Sequence, residues 1–369
     1  MLLLMVLIAQ AISWFLNFNE NPEWVADNPQ IDRLAKIFIF ISVAWWLAGS
    51  SRKVIFIWFF ALLGCISGTF FKSDGVAELL LGLQGVRVHL GVRNWQHSAM
   101  LLGVCVIGLS VFFPRVLSSK KFRILKISLW SILFFYSLLG LYVTQTRAVL
   151  IGLLLGFLTF VIIFLFSKSY SGAIFNSRIN KVAVVSFGVF VFCLIFYFSV
   201  GERVINEIGL VYPRISNMQL PLPDTSFGVR FNTWIASFSW IAEKPIFGWG
   251  GEGRGLVIDY TPWLSDWTKE NIGHLHNYIL EVLVAYGVFG LSLIVMLYGW
   301  IFFTIYHSWK YGYIRGDVAA FGVVFSVYWV FVNQFESYLS FWTGVYVHNI
   351  IFGGFVSLYW SGRLKNGER

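Results

Sequence analysis

Charge is what this chain has least of. Only 12% of its 369 residues are Asp, Glu, Lys or Arg, about half the share found in a soluble globular protein. That scarcity excludes a soluble enzyme, a disordered chain and a nucleic-acid binder of the usual kind. Cysteine is scarce as well. Cys65, Cys105 and Cys193 all lie deep in apolar runs. An odd, buried set is neither a disulfide framework nor a metal site, and it does not report the redox compartment. The chain also lacks an internal repeat, a low-complexity tract and a heptad array. It has no Walker-type glycine loop, no Gly-x-Ser-x-Gly elbow and no strong paired-carboxylate signature, which argues against nucleotide or glycoside hydrolysis.

What is present is apolar and aromatic. Hydrophobic residues make up 58% of the chain and aromatic ones 19%, with 38 Phe, 17 Trp and 16 Tyr. The fold class expected is an all-α polytopic membrane protein. Ten runs have the apolar character of transmembrane helices: 1–18, 36–49, 54–71, 99–113, 127–143, 148–166, 182–200, 278–306, 318–332 and 341–360. The first carries the small-x-small form Ala9-Gln10-Ala11. It has no Lys or Arg ahead of it and bulky Trp14 and Phe15 behind, so it is read as a retained helix rather than a signal peptide.

Ten spans sort the charges onto two sides. One set of connections holds most of the 27 basic residues, among them Arg52, Lys53, Arg115, Lys120, Lys121, Arg123, Arg315 and Arg363, against only Asp317 and Glu368. The other set is net negative. By the positive-inside rule the basic set is cytoplasmic, and so are both termini. The formal charge of +9 is therefore an orientation signal and not an affinity for acidic partners or nucleic acid. The chain divides into N-terminal transmembrane helices over 1–200, a large outer loop over 201–277 before the eighth span, and C-terminal transmembrane helices over 278–369. A connection as long as 201–277 is usually functional or a small domain of its own.

The scarce polar residues of the outer side are the candidates for chemistry. His274-Leu275-His276-Asn277 precedes a helix with Glu281 in its first turns and Gly287 and Gly290 further on. A histidine at the outer mouth of a helix suits a general base, and the two glycines would let another helix approach closely. The bland alternative, a polar helix start with a small-residue packing face, stands at even odds with it. Arg147 opens an otherwise uncharged helix after Thr144-Gln145-Thr146, with Thr146 as its N-cap. Free backbone N–H groups and a guanidinium together favour a phosphate, whereas the alternative is an interfacial anchor that snorkels. A cation at a helix N-terminus is unfavourable, which shifts the weight towards a ligand. Arg230, in a helix ended by Lys244 and Pro245, reads on its own as the basic anchor of an amphipathic surface helix. His274 and His276 lack an evident third ligand, so no metal is expected. Arg254 fits a solvated loop or a headgroup contact. Tyr260, Trp263 and Trp267 fit sugar stacking or an interfacial belt. Asn333, Gln334 and Glu336 either line a cavity or pair with backbone.

Three of these pieces together resemble the O-antigen ligase family, which shares its fold with O-antigen polymerases and protein O-oligosaccharyltransferases. They are His276-Asn277 followed after nine residues by Gly287-x-x-Gly290, the Thr146-Arg147 helix start, and Arg230-x-x-x-Trp234 leading to Pro245-x-x-Gly248-x-Gly250. The similarity runs from about Thr144 to Gly290. Members of that family often have twelve spans where ten are counted here. The difference would lie in helices merged within 278–306 or in the segment 72–98.

The resemblance implies glycan transfer from an undecaprenyl-pyrophosphate-linked donor, without a nucleotide sugar, metal or other cofactor. The site would lie on the periplasmic face of a bacterial inner membrane. It implies His276 as catalytic base and Arg147 and Arg230 as pyrophosphate ligands, with Asn277, His274, Arg254 and Glu281 in support. A single inverting displacement is the simpler course, because no carboxylate nucleophile is evident. The acceptor of a ligase is the lipid A–core oligosaccharide. The alternatives are an O-antigen or exopolysaccharide polymerase and, from another class, a lipid-linked glycan transporter. A transporter would carry inverted repeats and midplane charges, and neither is found. Other partners are membrane lipids.

Overall fold

A computed structural model describes residues 1–72, 74–92, 94–166, 197–217 and 219–367. Among them the apolar runs form helices, and there is no strand. Six helices are long and apolar enough to cross a membrane: α1 (Leu2–Glu20), α2 (Ser51–Phe71), α3 (Trp95–Leu117), α4 (Arg123–Thr144), α5 (Arg147–Phe166) and α9 (Tyr278–Lys310). Two more expected spans are helical but fall outside that set. They are α10 (Gly316–Val332), which is shorter at 17 residues, and α11 (Trp342–Lys365). The run at 36–49 is not one α-helix: a 3-10 turn over Lys36–Ile39 leads into eight α-helical residues, Phe40–Leu47. The expected span at 182–200, with Cys193, lies outside the described residues up to 196.

The segment 201–277 contains helices rather than an open loop, among them α6 (Glu202–Ser216), α7 (Ser226–Glu243) and α8 (Gly253–Tyr260). The caps explain the boundaries. Thr225 accepts the N–H of Gly228 at 3.1 Å to start α7, and Lys244 and Pro245 end it. Asn94 accepts from Gln96 and His97 at 2.9 and 3.0 Å to start α3. Both follow the N-cap rule that a short polar side chain satisfies donors the helix cannot.

Contacts divide the chain into two compact units. The second comprises Val43–Glu202, Phe303–Val332 and Gly354–Arg369. In it Trp58 packs its ring on Phe321 and Phe355, with centroids 5.1 and 5.0 Å apart, and the Tyr328 hydroxyl donates to the Met100 carbonyl at 3.0 Å. A hydroxyl satisfied by a helix carbonyl is how a membrane bundle keeps a tyrosine buried.

The first unit comprises Met1–Ser42, Arg203–Phe302 and Asn333–Gly353. Its core joins Trp240, Trp249, Leu256, Val257, Leu264, Leu275 and Val284. Trp263 packs against this core, while Tyr260 and Trp267 stay about half exposed. Trp249 donates its indole N–H to the Trp240 carbonyl at 2.7 Å, and Trp240 donates to the Thr261 hydroxyl at 3.1 Å. The aromatic wealth of this segment thus builds a packed body with its polar edges satisfied.

Helix α9 breaks at Gly287, where φ is +61°. The break leaves backbone groups that Pro245–Gly250 satisfies. Trp249 and Gly250 donate to the Val284 and Ala285 carbonyls at 2.8 and 2.9 Å. Val288 and Phe289 donate to the Pro245 and Ile246 carbonyls at 2.8 and 3.2 Å. A side chain on Gly287 would strike the Ile246 carbonyl, and one on Gly248 would strike the backbone of Val284–Tyr286. Helix α1 completes the joint, with Ser13 donating to the Ala285 carbonyl at 2.9 Å and Asn17 to the Gly248 carbonyl at 2.9 Å. The partner at Gly287 is therefore a turn segment and not the helix expected from the glycine spacing. Gly290 instead leaves room for the Tyr286 side chain.

Candidate functional site

The broken helix fixes what precedes it. Asn277 caps α9, accepting the Leu280 N–H at 3.2 Å. The Tyr278 N–H is taken by the Asn333 carbonyl at 2.9 Å. Between cap and loop, His276 sits at φ +54°, a left-handed conformation that costs about 1–2 kcal/mol for a residue with a side chain. Its neighbour Leu275 is held on both sides. The N–H donates to Glu281 at 3.2 Å, and the carbonyl accepts the Trp234 indole N–H at 2.9 Å. Strain held by several bonds is characteristic of a functional position.

The histidines meet a carboxylate that was expected only to line a cavity or to pair with backbone. Glu336, 1% exposed, lies between them. His274 Nε2 is 2.7 Å from its Oε1 and His276 Nδ1 is 2.9 Å from its Oε2. Ionised, Glu336 is acceptor-only, so both imidazoles donate to it. For His276 this places the proton on Nδ1 and leaves Nε2 as the basic nitrogen.

Burial works to raise the Glu336 carboxyl, but the hydrogen bonds from His274 and His276 and their charges outweigh it and hold it well below its ordinary value. Burial lowers His276, and it stays below the ordinary histidine value despite the hydrogen bond and charge of Glu336, with His274 and Arg230 adding to the lowering. At neutral pH the pair is a carboxylate and a neutral imidazole, as a general base requires.

The same three residues answer the question of a third metal ligand. Their donor atoms lie within 4.8 Å of one another, so the set numbers three where the sequence suggested two. Both carboxylate oxygens are already engaged by imidazole N–H groups. The hydrogen-bonded reading accounts for every short contact in the cluster.

Glu281, on the first turns of α9, ties the two loops of this cluster together. Besides the Leu275 N–H it accepts from the Ser337 and Ser340 hydroxyls at 2.6 and 2.7 Å and pairs with Arg254 at 3.3 Å. Arg254 is thereby part of a buried brace rather than a solvated loop. Arg230 joins the site through Nε, which donates to the Phe335 carbonyl at 3.0 Å, next to Glu336. Its Nη1 donates to Ser226. The spacing Arg230-x-x-x-Trp234 is now explained: one turn of α7 delivers the guanidinium to residue 335 and the indole to residue 275. Beside them Phe231, Trp234, Phe238, Asn277, Leu280 and Gln334 line an apolar groove of about 260 Å³. A separate cavity of about 230 Å³ has Arg33, Lys36, Arg254 and Glu281 in its wall.

The first unit thus brings together His276, His274, Asn277, Arg230, Arg254 and Glu281. Arg147 belongs to the second unit, where it opens α5. The Thr146 hydroxyl has a use other than the expected cap. It donates to the Thr144 and Trp95 carbonyls at 3.1 and 3.4 Å and accepts from Arg87 at 3.4 Å. Arg87 also donates to the Thr144 carbonyl at 3.0 Å and lies over the Trp95 ring at 4.1 Å. It braces the turn that leads to Arg147.

The pairing of Glu336 with the two histidines was not among the expectations. Its signal was present: Asn333, Gln334 and Glu336 form a polar run between two apolar spans, where an ionisable residue is functional by default. Among curated proteins the comparison finds no match. A family described as O-Antigen ligase matches residues 132–295, a stretch that contains Arg147, Arg230, His276 and both glycines of the helix break. Over that segment, a little under half of its length, the chain is similar to the O-antigen ligase family.

Proposed function

We propose that this protein is an O-antigen ligase that transfers a glycan from undecaprenyl pyrophosphate to the lipid A–core oligosaccharide. Transfer takes place at the periplasmic face of a bacterial inner membrane, by one inverting displacement. The observation that carries the reading is the His276–Glu336 pair in a chain that resembles this family over residues 132–295, because it leaves a neutral imidazole with a free basic nitrogen. In the step, the acceptor hydroxyl oxygen forms a bond to the anomeric carbon of the donor sugar. His276 Nε2 takes the hydroxyl proton. The bond from anomeric carbon to phosphate oxygen breaks, and its electron pair leaves with the pyrophosphate. A diphosphate departs without a general acid, so its developing charge needs cations only.

Arg230 is the pyrophosphate ligand that the site supports. Its backbone anchors fix the guanidinium plane, and a fork-shaped donor suits phosphate oxygens. The apolar groove beside it suits the first units of an isoprenoid chain. Arg147 is proposed as a second pyrophosphate ligand on the resemblance of its motif.

Lipopolysaccharide from a strain lacking the protein tests the reading. Rough lipopolysaccharide with accumulated carrier-linked polymer is expected, and His276→Ala should reproduce it while still inserting into the membrane. Core bearing a single repeat unit would instead make the protein a polymerase. Loss of both products would make it an exporter.

A further inference from the structure

In the second unit lies a cavity of about 700 Å³, within the range of about 300–1,000 Å³ typical of small-molecule sites. Its wall has two parts. One is cationic: Arg52 on the first turn of α2, Arg115 near the end of α3, and Arg315 immediately before α10. The other is apolar and runs along α2 through Val54, Ile55, Phe56 and Phe59. Phe56 is 61% exposed on the outer face of its helix.

The cations are not equivalent. Arg115 is gripped by Asp317, with Nη2 2.8 Å from Oδ1 and Nε on the other oxygen, so it forms a fixed part of the wall. Arg315 is 3.7 Å from the same carboxylate and largely exposed, and Arg52 is exposed at the rim. One carboxylate against three guanidinium groups leaves a positive excess at the mouth. A phosphate satisfies that excess, and the first turn of α2 adds a favourable helix dipole. The apolar wall fits hydrocarbon continuing from the same molecule. Basic pockets among membrane helices on the cytoplasmic side hold anionic lipid headgroups, and these arginines belong to the set that the charge distribution assigns to that side.

The geometry points to a binding site for an anionic glycerophospholipid, with its phosphate against Arg52 and Arg315 and an acyl chain along Val54–Phe59. The test uses the full chain in detergent. It measures lipid retained by native mass spectrometry and the shift in melting temperature on adding phosphatidylglycerol, phosphatidylcholine or inorganic phosphate. Phosphatidylglycerol should be retained preferentially and raise the melting temperature, since a ligand that binds only the folded state stabilises it. The double variant R52Q/R315Q should lose that preference with transfer activity intact. Ile55→Trp, which narrows the apolar wall and keeps every charge, should weaken retention and serves if the double variant fails to fold. Equal retention of the two lipids, an undiminished preference in R52Q/R315Q, or the same shift from inorganic phosphate alone would each overturn the proposal. The last would mark a free-phosphate site.

Discussion

At the scale of single residues, the behaviour of His276 depends on a carboxylate sixty residues downstream. Its value lies below that of a free histidine because burial outweighs Glu336. The proposed base is therefore neutral across the physiological range, and the transfer rate should rise with pH only through an acidic limb below about 6.5, the free value, then level off. Glu336→Gln replaces two acceptors by one acceptor and one donor, so the amide cannot accept from both imidazoles. With the raising influences gone, the limb should move further into acid, and the plateau should fall by about 10²–10⁴-fold, the worth of a positioned general base. A pH–rate profile on membranes checks both. A limb that stays in place in Glu336→Gln would disprove the pairing. Stability has the same sign. Both groups are held below their unfolded values, so their contribution is present above those values and is lost as the pH falls through the folded ones.

Residue-level reading from sequence reached His276, Arg230 and Asn277 because each is announced locally, by a motif or by its place before an apolar run. It left Glu336 as a cavity-lining residue or a partner for backbone, for a physical reason: its partners lie at positions 274 and 276, and no local pattern encodes a contact across two helices and their connections. Glu281 and Arg254 were visible as polar residues near helix ends. Their function as a brace depends on Ser337 and Ser340, which look like ordinary loop serines until the chain folds.

At the scale of elements, the break in α9 is what sets the site. Hydropathy sees one long apolar helix, because the residues on both sides of Gly287 are equally apolar. The interruption is written in two separated glycine-containing segments, 245–250 and 287–290, whose complementarity only packing reveals. Backbone groups freed in an apolar setting must be satisfied by protein, and here the turn segment 245–250 does so with four hydrogen bonds. Gly287→Ala combines a left-handed backbone penalty of about 1–2 kcal/mol with a clash on the Ile246 carbonyl. It should lower the melting temperature and reduce transfer together, since displacing 245–250 disturbs the turn that carries His276. Gly299→Ala, in the same helix with open space around it, is the control and should be close to neutral. If Gly287→Ala proved as harmless as Gly299→Ala, the joint would not be what holds the site.

At the scale of the whole molecule, the decisive feature is where the charge lies. Composition alone separates a membrane protein from a soluble one, and the six apolar helices agree with it. The side on which each connection emerges rests on the distribution of Lys and Arg, which biases insertion whatever contacts those side chains make in the folded chain. That orientation can be measured directly. The native cysteines sit in apolar runs, so single cysteines introduced at Lys120, Asp266 and Lys365 would be the accessible thiols. A membrane-impermeant maleimide added to intact spheroplasts should label the position 266 variant at once and the other two only after the membrane is opened. Orientation has a chemical consequence as well. Asp266 lies on the helix Asp266–Asn271, which leads into His274 and His276, so labelling there from outside would place the base on the face where a carrier-linked glycan awaits its acceptor. Immediate labelling at Lys120 or Lys365, or protection of Asp266 until permeabilisation, would invert the topology and with it the compartment of the proposed reaction.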